Sequence, residues 1–461
     1  MSFTGAAFEQ FKAEEPHQMA IWLSRCGNAY PVDSRTSPIF LIVWRMNEHP
    51  IIRWSESDVA RSARWRSEKG IVPPKRVVIA DEQMSADAAY RLACEGTALL
   101  WRGDFQNARQ MLLAMAQRAD EKTRKASKAA VANKTQKLGK PAALADSAAL
   151  LPETTPPPTE AFHLHRLAQS QRARTLGMLL LPLAGDYTIP LRRAPDLQRA
   201  CVEAYGPAGG AAGNETVSDS LVSMRELLGL IGAHEWRKKG VDVSALNDRI
   251  HPHYGVFAPV RGEYVSLVAD AALPIAQSGA NTLPLAFDIG TGTGVLAAVL
   301  ARRGVARIIA TDMDSRALTC ARENIKRLGL AAQVDVVQAD LFPEGRAPLI
   351  VCNPPWIPAR PSSPIEGAIY DPESRMLRGF IAGLASHLEP GGEGWLILSD
   401  IAEHLGLRTR TQLLTYFEQA GLIVVGRIDV RPSHPRVGDT TDPLHAARAA
   451  EVTSLWRLGV R

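Results

Sequence analysis

The sequence predicts an α/β protein whose C-terminal part is a doubly wound, mostly parallel sheet with an antiparallel last strand, preceded by a helix-rich N-terminal region. Three observations predict it. From Pro284 onward, short apolar runs alternate with helical patterns. A turn carrying Gly290, Gly292 and Gly294 directly follows the first of those runs and opens the next helix. Asp288, Asp312, Asp340 and Asn353 fall at the carboxyl ends of successive runs, where open α/β sheets bind their ligands.

Composition sets the frame. With 461 residues, 46% hydrophobic and 22% charged, the chain has enough apolar mass for a large core, which excludes disorder throughout and favours two or three domains. Five scattered cysteines without a CxxC pair exclude a disulfide framework and a structural zinc site, so no metal is expected. The most apolar stretch, Leu176 to Ala184, contains Gly177 and Pro182 and is far shorter than the roughly 20 residues of a membrane helix. The N-terminal MSFTGAAFEQFKAEEP has acidic residues where a secretory signal has basic ones, so the expected location is cytoplasmic.

Net charge is +5, and it is concentrated. Between Glu121 and Lys140 stand seven basic residues and one acidic residue, and the rest of the chain is nearly neutral. A solvated linker is the simpler reading of such a stretch, with RNA or an acidic partner as the alternative.

In chain order, residues 1–118 read as a helix-rich module. Its best helix starts at Phe105, where Phe105, Ala108, Leu112, Met115 and Ala119 share one face and Asp104 is placed to cap. Residues 119–160 read as a basic, then proline-rich, flexible linker that closes with LPETTPPPTE. Residues 161–250 read as a helical recognition region, broken by GPAGGAAGNE. Neither FHLH (His163, His165) nor HPH (His251, His253) has a third partner at metal-ligand spacing.

Residues 251–461 carry the sheet. Leu285 to Ile289, Arg307 to Thr311, Val334 to Gln338, Pro348 to Cys352 and Gly394 to Ser399 read as five parallel strands, with Leu422 to Val430 and Val452 to Leu458 last. A helix over Ser315 to Leu328 has the apolar stripe Leu318, Ala321, Ile325 and Leu328, capped by Asp314 and ended by Gly329. Another helix spans Thr409 to Ala420.

The turn Asp288-Ile289-Gly290-Thr291-Gly292-Thr293-Gly294 has G-x-G-x-G spacing, and Asp288 before it would repel a pyrophosphate but could hold an ammonium. Asp312, 18 positions after Gly294, is placed to accept both hydroxyls of a ribose. Asp340 is placed to receive an exocyclic amine of adenine, with Leu341 or Phe342 against the ring. A nucleoside that lacks phosphates and carries an amino acid fits this set. Asn353-Pro354-Pro355-Trp356, after the fourth strand, stands beside the turn.

These motifs (DIGTGTG, TDMD, QADLF, NPPWIP) resemble, in order, those of class I S-adenosylmethionine-dependent methyltransferases with a Rossmann-like fold, and most of all the HemK/PrmC type. That type methylates a glutamine side-chain amide of peptide-chain release factors. Small-domain RNA and DNA N-methyltransferases are similar too. The resemblance covers roughly residues 251–461. Trp356 stands where the HemK pattern has Tyr, and Val260-Arg261-Gly262-Glu263-Tyr264 replaces its R-P-E-T-E string.

The resemblance implies S-adenosylmethionine as methyl donor, held by Asp288, Gly290, Thr291, Gly292, Gly294, Asp312, Asp340, Leu341 and Asn353. It implies that Asn353, Pro354, Pro355 and Trp356 carry the chemistry: the Asn353 and Pro354 oxygens each accept one N–H of a planar NH2, and Trp356 stacks on that group. The expected partner is a release-factor-like protein, with RNA or DNA as the alternative and no membrane. A scaffold without turnover is disfavoured by the intact Asn353 and glycines.

Overall fold

Two sheets organise the chain in the computed structural model, which describes residues 50–137, 157–208, 219–274, 282–361, 364–432, 439 and 442–461. The first contains β1 (Ile51–Glu56), β2 (Val59–Arg66), β3 (Arg76–Ala80), β4 (Thr97–Trp101), β5 (Leu179–Leu183) and β6 (Ser220–Ser223). Their order is β1-β2-β6-β5-β4-β3. Strands β3, β4 and β5 run parallel, β5 and β6 antiparallel. Helices α1 (Ala86–Cys94), α2 (Phe105–Lys137), α3 (Pro158–Leu176), α4 (Gln198–Tyr205) and α5 (Met224–Lys239) belong to this part.

The expectation of a helix-rich module at 1–118 and a separate helical region at 161–250 is corrected here. One six-stranded sheet takes strands from both stretches. The runs TALLW and LLLPL are five-residue strands, the first buried throughout and the second nearly so. A continuous apolar run has no period that separates strand from buried helix, which is why these strands escape a reading by pattern.

The expected linker also begins later, because α2 continues through Asp120 to Lys137. No glycine or proline interrupts that stretch, and Ala, Lys, Arg and Gln are strong helix formers. The following residues, up to 156, lie outside the described residues. The predicted stripe holds: Phe105, Ala108, Leu112, Met115 and Ala119 are all buried, and Asp104 Oδ1 accepts the Gln106 N–H at 2.8 Å.

After the small hairpin β7 (Val241–Val243) and β8 (Asp248–Ile250) comes α6 (Glu263–Asp270), and then the second sheet. Its strands are β9 (Leu285–Ile289), β10 (Arg307–Asp312), β11 (Val334–Gln338), β12 (Ala347–Cys352), β13 (Leu388–Ser399), β14 (Leu422–Val430) and β15 (Thr453–Val460). The order is β11-β10-β9-β12-β13-β15-β14, and only β15 runs antiparallel to its neighbours. Helices α7 (Val295–Arg302), α8 (Ser315–Arg327), α9 (Arg375–His387), α10 (Ile401–His404), α11 (Arg410–Gln419) and α12 (His445–Ala450) complete it.

Helices cover both faces. Residues of α6, α7 and α8 pack on one side, and Leu377, Phe380, Ile381 and Leu384 of α9 with Leu413 and Phe417 of α11 on the other. Central β9 is therefore buried nearly end to end, as a strand between two helical layers must be. Helix α8 follows its sequence signals: Asp314 caps it through the Arg316 N–H at 2.9 Å, Leu318, Ala321, Ile325 and Leu328 are buried, and Gly329 turns out of it at φ 72°. The chain leaves β9 toward β10 and β11, then returns to β12 on the opposite side. That reversal opens a crevice at the carboxyl ends of β9 and β12.

Candidate active site

Strand register brings the motifs to one edge. Thr311 of β10 and Cys352 of β12 both pair with Ile289 of β9, so Asp312, Gly290 and Asn353 leave the sheet side by side. Gln338 pairs with Asp312, which places Asp340 on the same edge.

Glycine is required in the turn by backbone shape, since Gly290, Gly292 and Gly294 have φ of 72°, 55° and 81°. Two of them also have neighbours. A Cβ on Gly290 would meet Met376 Cε, and one on Gly294 would lie 3.3 Å from Ala321 Cα, so the second lets α7 sit against α8. Gly292 faces open space. It supplies a cradle with no side chain in the way and fits a ligand that approaches backbone closely.

Asp288 lies beneath this turn and is only 1% exposed. Its Oδ2 accepts from Thr291 Oγ1 at 2.7 Å and from the Ala297 N–H at 3.0 Å. Burial pushes its carboxyl up to about 6, against the lowering effect of those two bonds and with a smaller raising effect from the charge of Asp312. Oδ1 is buried without a hydrogen-bond partner among the described residues. Asp312 is half-buried and ties the turn to β10: Oδ2 accepts the Gly292 N–H and Oδ1 the Asp314 N–H, each at 3.0 Å. Burial raises its carboxyl as well, although the backbone N–H groups oppose the shift.

Asp340 is exposed and paired with Arg375 at 2.9 Å. Leu341 has φ 75°, and its carbonyl accepts the Thr311 hydroxyl at 2.6 Å, which fixes the end of this loop. Phe342 is engaged elsewhere. Its ring stacks on Phe380 and on His387, at centroid distances of 5.7 and 4.3 Å, and the partly buried Leu341 packs against the same apolar cluster, beside Gly379 of α9.

Asn353 and Trp356 are bonded to each other, with Trp356 Nε1–H donating to Asn353 Oδ1 at 2.9 Å. Pro354 is buried and Pro355 half-buried. The Arg261 guanidinium lies 4.9 Å from the centre of the Trp356 ring. Arg261 in turn donates to Glu263 at 2.6 Å and to Glu451 at 3.0 Å, and Glu451 accepts the Ser399 hydroxyl at 2.7 Å. Downstream, Ile357 pairs with Tyr370, and Asp371 accepts the N–H groups of Met376 and Leu377 to hold the start of α9.

Several neighbours carry no sequence signal of their own. Met376, Arg375, Ser399 and Glu451 reach the site through the fold, tens of residues from the motifs they support. Arg166 of α3 does so as well, with its guanidinium 4.0 Å above the Tyr370 ring. The paired histidines serve structure: His251 Nδ1 is 2.6 Å from the Arg237 carbonyl and His253 Nε2 is 2.8 Å from Glu323. His434 and Arg436, which the sequence places in a late loop, lie outside the described residues.

Comparison with known proteins points the same way. The family model described as "Ribosomal protein L11 methyltransferase (PrmA)" matches residues 274–356, which run from just before β9 through Trp356. A ribosomal protein L11 methyltransferase of Pelotomaculum thermopropionicum is 48% identical over 144 residues, 31% of this chain and 39% of that protein. A release factor glutamine methyltransferase of Cereibacter sphaeroides is 41% identical over 112 residues, 23% of this chain and 36% of that protein. One of Xylella fastidiosa is 32% identical over 170 residues, 32% of this chain and 57% of that protein. The chain thus spans between about a third and three-fifths of these relatives. The sequence reading weighed the second kind of relative and not the first.

Proposed function

We propose that the C-terminal part of this chain, a class I S-adenosylmethionine-dependent methyltransferase, transfers a methyl group to a planar nitrogen, with the side-chain amide of a protein glutamine in a translation factor as the acceptor. One observation carries the reading: Asn353-Pro354-Pro355-Trp356 leaves β12 beside the glycine turn that leaves β9, which supports one crevice for the proposed acceptor groups and cofactor cradle. Relatives that methylate proteins of translation support the choice of a protein over a nucleic acid.

The residues fit the cofactor. Gly292 offers an open backbone surface, Asp312 a half-buried carboxylate for a ribose, and the Asp340–Leu341 loop an exposed carboxylate with an apolar neighbour for the base. Asp288, sealed from solvent, is read as the brace of the turn. Bound S-adenosylmethionine supplies an electrophilic methyl on a sulfonium. A carboxamide nitrogen is a weak nucleophile because its lone pair is delocalised. Asn353 Oδ1 and the Pro354 carbonyl each accept one of its N–H groups, which fixes its direction and favours a more tetrahedral nitrogen. The proton leaves after transfer, when the nitrogen has become strongly acidic, so no general base is required.

Incubation with labelled S-adenosylmethionine and cell extract, followed by protease or nuclease digestion, tests the acceptor. Release of label by protease supports the reading, and release by nuclease overturns it. The nucleobase alternative rests on the basic extension of α2, Lys122 to Lys137, and predicts binding that falls steeply with salt. Asn353→Ala should abolish transfer while S-adenosylhomocysteine still binds, as calorimetric titration will show.

A further inference from the structure

We propose that Trp356 and Arg261 form a clamp that fixes which atom of the Asn353 amide faces the acceptor, so both are positioning residues for the methyl-transfer reading on which this inference rests. A carboxamide presents an oxygen on one side and an NH2 on the other, and the two exchange when the group turns over. With the oxygen forward it accepts an N–H of a planar amine. With the NH2 forward it opposes that amine donor to donor.

An indole N–H can only donate. Trp356 Nε1–H, 2.9 Å from Asn353 Oδ1, therefore holds one orientation of the amide and leaves the second lone pair of Oδ1 for an acceptor. A Phe in its place would leave the amide free to turn over, and a phenol hydroxyl can accept as well as donate.

The indole is itself held. Arg261 covers one ring face at 4.9 Å and is fixed by two carboxylates, Glu263 at 2.6 Å and the nearly fully buried Glu451 at 3.0 Å. Glu451 is anchored to the end of β13 through Ser399 at 2.7 Å. A continuous chain of contacts thus runs from the sheet to the amide. With its N–H committed, one face against a guanidinium and the half-buried ring packed against three apolar clusters, Trp356 is fixed in place. Selection for a nitrogen that carries hydrogens then comes from the orientation of Asn353.

Two measurements on the full chain test the clamp. The indole ¹H–¹⁵N resonance of Trp356, identified by its loss in Trp356→Phe, should move in Asn353→Ala and in Arg261→Lys, with faster hydrogen exchange in both. Trp356→Phe should bind S-adenosylhomocysteine within about twofold of wild type, yet lose about tenfold in labelled methyl transfer to extract protein, as expected for one hydrogen bond that orients the reacting pair. An indole resonance indifferent to Asn353→Ala, or near-normal turnover by Trp356→Phe, overturns the proposal. Failure of the wild type to bind S-adenosylhomocysteine would instead sink the methyltransferase reading, and the resonance arm would still decide the clamp.

Discussion

Replacing Asp288 by Asn should change how stability depends on pH. The carboxyl is 1% exposed, and burial lifts it from 3.8 to about 6. At 1.36 kcal/mol per pH unit this gap corresponds to about 3 kcal/mol. Between the two values the folded chain keeps a proton that the unfolded chain releases, so stability falls as pH rises. The contribution is fully present below 3.8 and is lost as pH rises through about 6. Asp288→Asn cannot ionise and removes this dependence, while its amide oxygen can still accept from Thr291 or the Ala297 N–H. Thermal midpoints of both proteins followed by circular dichroism from pH 4.5 to 7.5 make the comparison, because carboxyls other than Asp288 cancel. About 2 kcal/mol of the Asp288 contribution falls between pH 4.5 and 7.5, so at about 2–4 °C per kcal/mol for a domain of this size the variant should gain on the order of 4–8 °C relative to wild type over that range. Midpoints that run parallel over that range would refute the buried, raised carboxyl.

The other perturbations probe the same edge of the sheet. Asp312→Ala removes the acceptor of the Gly292 and Asp314 N–H groups and the proposed ribose contact, so affinity for S-adenosylhomocysteine should drop by about 10- to 100-fold in calorimetry; unchanged affinity removes Asp312 from that role. Gly294→Ala places a side chain at φ 81° and 3.3 Å from Ala321 Cα, with a conformational cost of about 1–2 kcal/mol before any clash. It should lower the midpoint by several degrees and weaken cofactor binding together, and a variant that lowers neither would show that the turn tolerates a Cβ.

How far the sequence reveals this depends on whether a feature is local. Strand β9, the glycine turn and helix α8 follow from neighbours a few residues apart: an apolar run, a Gly series, an Asp cap, a stripe at helical spacing. The edge on which the proposed ligand residues meet also follows, because parallel register turns the ends of consecutive strands into one rim. What stays hidden is made by distant pairs. The Glu451–Arg261 contact spans 190 residues, and Ser399 joins it from β13. Sealing of Asp288 depends on tertiary burial that no spacing encodes. The first sheet hides for a further reason, since TALLW and LLLPL have no alternation to mark them as strands.

That first part of the chain also braces the loop beside the proposed acceptor motif, which separates a built-in wall from an appended module. Phe162 of α3, 2% exposed, packs with Ile401, Leu405 and Leu444 and with partly buried Ile357 and Tyr370. Thr159 Oγ1 donates to the Leu405 carbonyl at 3.0 Å, and Arg166 pairs with Glu366 at 3.5 Å while lying over Tyr370. Since Tyr370 pairs with Ile357, the residue after Trp356, α3 braces the loop that follows the Asn-Pro-Pro-Trp motif. Phe162→Ala leaves a cavity in that brace, at a cost of about 3–5 kcal/mol for a buried Phe. Hydrogen exchange should then rise in the segment 356–371 while β9 and the glycine turn stay protected and S-adenosylhomocysteine still binds. Exchange in 356–371 that matches wild type would show that the loop stands without α3, and residues before 251 would have to act in some other way.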